Sequence, residues 1–377
     1  RDSVASRGLG DVYKRQRSSR ARASIPPICW RPCPACSATA ADAAGDTLLT
    51  RPLPRSLLRR RLLQALALGA LAPLAACAPP ISLNATFLQL WLSHLDLTAD
   101  DWRRRIAAYR RLGCREIFLQ WTGLEGGRPD DWMAPKAMLD AIFDEAEHSG
   151  LGVHVGLPYD QRWWNMLASP DDAALAAYLD HTRDRGVAYM QSAAWSKRRN
   201  FRGWYLPYEL EQYNWSRPER QALLVPWLDA FARAAQATSY RVPTISTYFS
   251  RLGGDGSLTQ LWSRVLDHVA IHPMIQDGVG VAGLANYQSL EPLHDMLLKR
   301  RASFDLVMEL FEELPSGSTD GTTFKARSAD FDRVKQQWQV ARGYGAKRVV
   351  AFTVDPWVIG DTPEARALMR AWMAARV

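Results

Sequence analysis

"RGWYLPYELEQYNW", residues 202–215, is an apolar run of strand length that closes on two acids, Glu209 and Glu211, where a turn is expected. Burying an unpaired carboxylate costs several kcal/mol, so an apolar run seldom carries one without a reason. The pair makes sense if the strand belongs to a fold whose strand ends converge on a polar site. The neighbouring sequence must then supply more strands of the same kind.

It does. Counting "FRGWYLPYELE" (201–211), eight short apolar runs follow one another from residue 85 onward. The others are "ATFLQLW" (85–91), "EIFLQWTG" (116–123), "GVHVGLP" (152–158), "RVPTISTYFS" (241–250), "HVAIHPMIQDG" (268–278), "FDLVMELFEE" (304–313) and "RVVAFTVDPW" (348–357). Amphipathic stretches alternate with them. In "TADDWRRRIAAYRRLG", Thr98 is placed to cap, Asp100 and Asp101 fall in the first turn, and Gly113 closes the helix. Further helices are expected over 134–149, 170–185, 216–237, 257–266, 284–300, 328–343 and 362–375. Eight strands each followed by a helix predict an α/β fold, a single-domain (β/α)8 TIM barrel. A doubly wound open sheet would want a glycine-rich turn after its first strand, and "LQLWLSHLD" has no glycine. The segments 123–133 and 186–200 read as long connections added around a site.

The chain has 377 residues, 47% of them hydrophobic, 15 Trp, and a formal charge of +8. Of its 47 basic and 39 acidic residues, positions 1–77 hold 13 and 4, so 78–377 carries a formal charge of −1. The basicity belongs to the leader, and no nucleic-acid partner is expected. Residues 1–50 lack apolar periodicity and precede the first Met, Met133, and are read as unstructured, non-native or upstream translation. Cys33 and Cys36 form a CxxC there without a second pair, a weak metal signal alongside Cys29. Residues 51–77 combine Arg59, Arg60 and Arg61, an apolar run from Leu62 to Leu74, and Leu74-Ala75-Ala76-Cys77. This resembles a twin-arginine-like lipoprotein signal peptide, with Cys77 as the lipidated residue of an exported protein on the periplasmic face. The membrane is then a partner only through that anchor, and 78–377 is the barrel.

In such a barrel the site lies at the C-terminal strand ends. Glu209 and Glu211 end the fourth candidate strand, and Glu309 lies in "LVMELF" on the seventh. Two carboxylates meeting across a barrel mouth are what glycoside hydrolysis requires. Polar and aromatic residues recur at the other strand ends: Gln120 and Trp121, Tyr159 and Asp160, Tyr248, Gln276 and Asp277, Asp355 and Trp357. Sugars offer hydroxyls to such groups and C–H faces to indole rings, which adds Trp91 and Trp204 as stacking candidates. Core packing is the ordinary role of any single Trp, and an ion pair with a barrel arginine would equally satisfy Glu309. No His-x-His ends the first strand and no His/Cys pair has zinc spacing, so no metal site is expected; His154 reads as a satisfied barrel histidine and His272 as a residue near the end of its strand. No Gly-x-Ser-x-Gly follows a strand, and "GGDGS" (253–257) is a lone glycine-rich turn.

The order "FLQLW…EIFLQW…GWYLPYELE…QDGVG…MELFE" resembles a bacterial family catalogued as domain of unknown function 4434, over roughly residues 84–357. That family is regarded as a glycoside-hydrolase-like TIM barrel. Its layout is similar to a large clan of retaining glycosidases with the acid/base on strand four and the nucleophile on strand seven. The resemblance implies Glu209 as acid/base and Glu309 as nucleophile. Tyr208 and Glu211 are read as substrate-binding residues, and no cofactor is expected. The clan usually has Asn before the strand-four Glu, and this chain has Tyr208 there. A non-catalytic carbohydrate-binding lipoprotein and a metal-dependent deacetylase or amidohydrolase are the alternatives.

Overall fold

The structure, a computed structural model, describes residues 80–126, 131–252, 256–315 and 325–376. The readings placed on 1–77, including Cys77 and the Cys33/Cys36 pair, and on most of "GGDGS" lie outside these residues.

Among the described residues, eight parallel strands close into a barrel: β1 (Ala85–Leu88), β2 (Glu116–Leu119), β3 (Gly152–Gly156), β4 (Phe201–Leu210), β5 (Thr244–Thr247), β6 (His272–Gln276), β7 (Asp305–Glu309) and β8 (Arg348–Phe352). Each pairs with its sequence neighbours, and β8 pairs with β1 to close the ring. One helix follows each strand on the outside: α1 (Ala99–Arg111), α2 (Lys136–His148), α3 (Asp172–Ser192), α4 (Pro218–Ser239), α5 (Leu258–His268), α6 (Asn286–Arg300), α7 (Phe331–Ala341) and α8 (Pro363–Ala374). The sequence stops and starts these helices as expected. Thr98, Asp171, Ser257, Asp330 and Thr362 each accept a first-turn backbone N–H, satisfying donors that have no partner inside the helix.

One expectation is corrected. Residues 186–200 are not a loop around the site: α3 continues to Ser192, and a 3-10 turn spans Ala194–Lys197. The segment leads into the N-terminal end of β4, opposite the strand ends where sites form. Its Trp195 stacks on Phe143 of α2, 5.4 Å between ring centroids, so its aromatic character serves packing.

Alternation along the strands sorts side chains between the barrel interior and the helices. The interior is layered. At the N-terminal floor, Arg348 donates to both carboxylate oxygens of Asp305 and, at 2.6 Å, to Glu116. His154 Nε2 lies 2.7 Å from the same Glu116 oxygen, and His272, the first residue of β6 rather than near its end, lies 3.1 Å from Asp305. Above this floor, Phe87 packs on Phe118, Tyr205 and Phe352 at centroid distances of 5.3, 5.1 and 5.7 Å. Phe118 also stacks on His154 at 3.9 Å. The aromatic layer separates the charged floor from the open end.

The floor makes stability depend on pH. Burial would raise the Glu116 carboxyl, but the His154 hydrogen bond and the Arg348 charge hold it down at about 2 against an ordinary 4.5. Burial depresses His154 to about 4 against 6.5, so the imidazole is neutral at pH 7. Both folded values lie below their unfolded ones, so the unfolded chain binds more protons on acidification. The His154 contribution is lost as pH falls from about 6.5 to 4, and the Glu116 contribution from about 4.5 to 2. Glu209, whose carboxyl burial raises to about 7, acts in the opposite direction above about pH 4.5, so the fall in urea midpoint should show from about pH 4.5 to 2, and Glu116→Gln should flatten that part of the curve. Wild-type and Glu116→Gln curves of equal slope below about pH 4.5 would contradict the floor's role.

Candidate active site

β4 carries the first acid, and a proline decides where it points. Tyr205 and Leu206 pair with Thr244 and Ile245, but the next partners are Glu209 with Ser246 and Leu210 with Thr247. Pro207 has no N–H for the ladder, and Pro207 and Tyr208 bulge out of it. Because two residues are inserted, the alternation is preserved. Glu209 faces the interior with Ser246, whose hydroxyl bonds the inward Tyr205 phenol at 2.8 Å. Tyr208 faces the helices instead, its ring 4.8 Å from Trp163 and 5.2 Å from Trp227 of α4.

Glu209 is nearly enclosed. Its Oε1 accepts a 2.6 Å hydrogen bond from Gln276 at the end of β6, and its Oε2 has no protein partner. Burial pushes its carboxyl up to about 7, the Gln276 bond offsetting part of the rise. Gln276 Oε1 and Gln120 Oε1 are likewise buried without protein partners. Buried polar atoms are ordinarily satisfied, so orphaned ones grouped on the strand ends around Glu209 are suited to a hydroxyl-rich ligand.

Glu211 answers the opening puzzle differently. It is fully buried, and its two oxygens accept the backbone N–H groups of Tyr213 and Asn214 at 2.6 and 2.8 Å. Burial raises its pKa, partly offset by those bonds. The second acid therefore builds the turn that the sequence otherwise lacks.

Glu309 ends β7 opposite Phe352 in register, so it shares the inward face of that aromatic ring. Its Oε2 accepts the Gly280 N–H at 2.8 Å. Gly280 lies in a one-turn helix, Val279–Ala282, directly after β6. A Cβ there would fall 2.6 Å from the Phe311 carbonyl and 2.9 Å from Glu309 Oε2, so only glycine permits the approach. Behind this contact, Asp277 accepts hydrogen bonds from the N–H groups of Val279 and Glu309 and from Tyr287 and Gln337. Arg333 of α7 donates to the Glu309 and Phe311 carbonyls, both at 3.0 Å. Asp277 is thus not placed to bind a ligand in the barrel mouth, and instead it ties the ends of β6 and β7 to α6 and α7. Burial raises its pKa despite these donors. Gly280, Arg333 and Gln337 escaped sequence reasoning, although the glycines of "QDGVG" right after a strand were a signal of close backbone approach.

The other strand-end residues divide. Trp91, Trp121 and Tyr159 come together after β1, β2 and β3. Trp91 lies edge-on to Trp121 at 5.1 Å, and Trp121 stacks on Tyr159 at 5.9 Å. Trp91 is partly exposed above the two buried rings. Trp357, also partly exposed, packs on Phe311 at 5.7 Å beside Glu309. Tyr248 follows β5, buried edge-on to Trp164 at 6.2 Å. Trp204 faces outward, its indole N–H donating to Thr238 of α4 at 3.1 Å, so it is not a platform for a ligand in the barrel. Asp355 is also turned away, paired with Arg105 of α1. Asp160 is buried against Arg162 at 2.5 Å. It lies in the one group of three metal-ligating types brought together among the described residues, with Glu125 and His181. Arginines already face both carboxylates, Arg162 at Asp160 and Arg185 at Glu125, so the group is an ion-pair cluster.

Residues 83–367 match the model of the domain of unknown function DUF4434, and the chain belongs to that family. It is 27% identical over 201 residues to the uncharacterized protein YbcH of Escherichia coli (strain K12), covering 51% of this chain and 64% of that protein. Among solved structures it is similar to a candidate alpha-L-fucosidase from Bacteroides thetaiotaomicron, with a TM-score of 0.59 and 15% identity over 79% of this chain and 95% of that one. It is also similar to the beta-galactosidase of the psychrophilic Marinomonas ef1, with a TM-score of 0.50 and 11% identity over 77% and 58% of the two chains. At such identities these likenesses concern the barrel fold alone.

Glu211→Ala should leave the Tyr213 and Asn214 N–H groups without acceptors and lower stability by about 1–3 kcal/mol. A shifted urea midpoint checks this, and an unchanged one would mean that the turn does not need the carboxylate.

Proposed function

We propose that the protein is a retaining glycoside hydrolase acting on a poly- or oligosaccharide, with Glu209 as acid/base and Glu309 as nucleophile. The observation that carries this reading is Glu209 itself. It faces inward at a strand end, with one oxygen unpartnered and a carboxyl that stays protonated up to about pH 7. A retaining hydrolase divides its two carboxyls between acid and nucleophile, and Glu209 has the environment of the acid.

In the first step the Glu209 proton passes to the glycosidic oxygen as its bond to the anomeric carbon breaks. A Glu309 oxygen bonds that carbon from the opposite face, forming a glycosyl ester. In the second step the Glu209 carboxylate takes a proton from water as the water oxygen displaces Glu309. Two inversions give net retention. Gly280 N–H orients the Glu309 carboxylate, and Gln276 orients Glu209. Trp91 and Trp357 offer indole faces to the C–H surfaces of flanking sugar units. The shared fold with proteins named as an alpha-L-fucosidase and a beta-galactosidase supports a sugar substrate. The leader at 51–77 supports export and anchoring by lipidation at Cys77 on the periplasmic face of the envelope.

The complete burial of Glu309 favours a second reading, a carbohydrate-binding barrel without turnover. A glycan panel separates the two. On the substrate it reveals, Glu309→Gln should reduce kcat by at least about a thousandfold while the thermal transition persists. Because the acid must be protonated, wild-type kcat should fall as pH rises past about 7. NMR of the first product should show the substrate's own anomeric configuration. Wild-type turnover in Glu309→Gln, or an inverted product, would remove the assignment.

A further inference from the structure

We propose that the groove between α1 and α8, on the flank of the barrel, is a binding site for a phosphate-bearing ligand. The groove encloses about 570 Å³, within the range of roughly 300–1,000 Å³ usual for small-molecule sites. Arg104 and Arg111 stand on its α1 wall and Arg366 and Arg370 on its α8 wall, with Arg105 between them. Three acids also line it, Asp101, Asp355 and Asp361. That leaves an excess of two positive charges.

The pairing pattern matters more than the count. Arg104 pairs with Asp101 one turn away on its own helix, at 2.5 Å. Arg366 pairs with Asp361, just before its own helix, at 3.4 Å. Arg105 is held by Asp355. No acid among the described residues links one wall's arginines to the other's, and Arg111 and Arg370 make no ion pair. Two facing positive walls repel unless an anion lies between them. Phosphate is the fitting anion, since guanidinium groups engage its oxygens in paired hydrogen bonds. Ala108, Val358, Ile359 and Met369 add an apolar surface beside the charges, which suits a phosphate attached to an organic group.

Such a phosphate could be a soluble ester or a phospholipid headgroup, and the test separates them. The full chain and its Arg111→Ala/Arg370→Ala variant are compared at low salt. Calorimetry with inorganic phosphate is one arm, and co-sedimentation with phosphatidylglycerol against phosphatidylcholine vesicles is the other. The expected result is phosphate binding that weakens at least about tenfold in the variant and on adding salt. A preference for the anionic vesicles that vanishes in the variant assigns the headgroup. Phosphate binding without that preference assigns a soluble ester. Binding that is equal in both proteins, or absent from both arms, overturns the proposal. The altered arginines are exposed and lie outside the proposed catalytic pair, so the variant should retain its fold and its circular-dichroism melting curve.

Discussion

A closed parallel sheet gives each side chain one of two destinations, the lumen or the helical layer, and nearly everything about this protein follows from that division. Parity along each strand decides which acid meets which partner. The clearest case is β4, where Pro207 cannot donate to the ladder and the strand slips by two residues. A slip of one would have sent Glu209 out among the tryptophans of the helices and Tyr208 into the lumen. The even slip keeps the carboxylate inside and the phenol outside.

The lumen is consequently stratified by charge. Arg348, Asp305, Glu116 and His154 satisfy one another at the floor. A layer of Phe and Tyr rings lies above them, and the remaining acids and amides gather at the open end. Separation has a chemical consequence. The floor arginine is spent on floor carboxylates, so burial outweighs the Gln276 hydrogen bond at Glu209, whose carboxyl is pushed up to about 7. Glu309, by contrast, is steadied by a backbone N–H that only a glycine could deliver.

Much of the fold was legible in residue order. Each of the eight apolar runs contains a barrel strand, and each intervening amphipathic stretch overlaps its helix, with α3, α4 and α5 running past the expected ends, because periods of two and of 3.6 are local properties of the chain. Legibility failed where local pattern has two structural meanings. Residues 186–200 carry Trp195, Arg198 and Arg199 as a site loop would, yet they end a helix on the floor side. Trp204, Tyr208, Asp277 and Asp355 are the residue types a sugar site uses, and all four belong to the scaffold.

The sequence by itself determined the barrel, its order of strands and helices, and the two strands whose ends carry acids, since hydrophobic period and chain connectivity leave little choice. Only the tertiary structure shows that Glu209 and Glu211 have different surroundings. They stand two residues apart in similar surroundings of sequence, and one is occupied by the turn's own N–H groups while the other keeps a bare oxygen. Hydrogen-bond partners from distant segments settle that difference, and no local pattern encodes them.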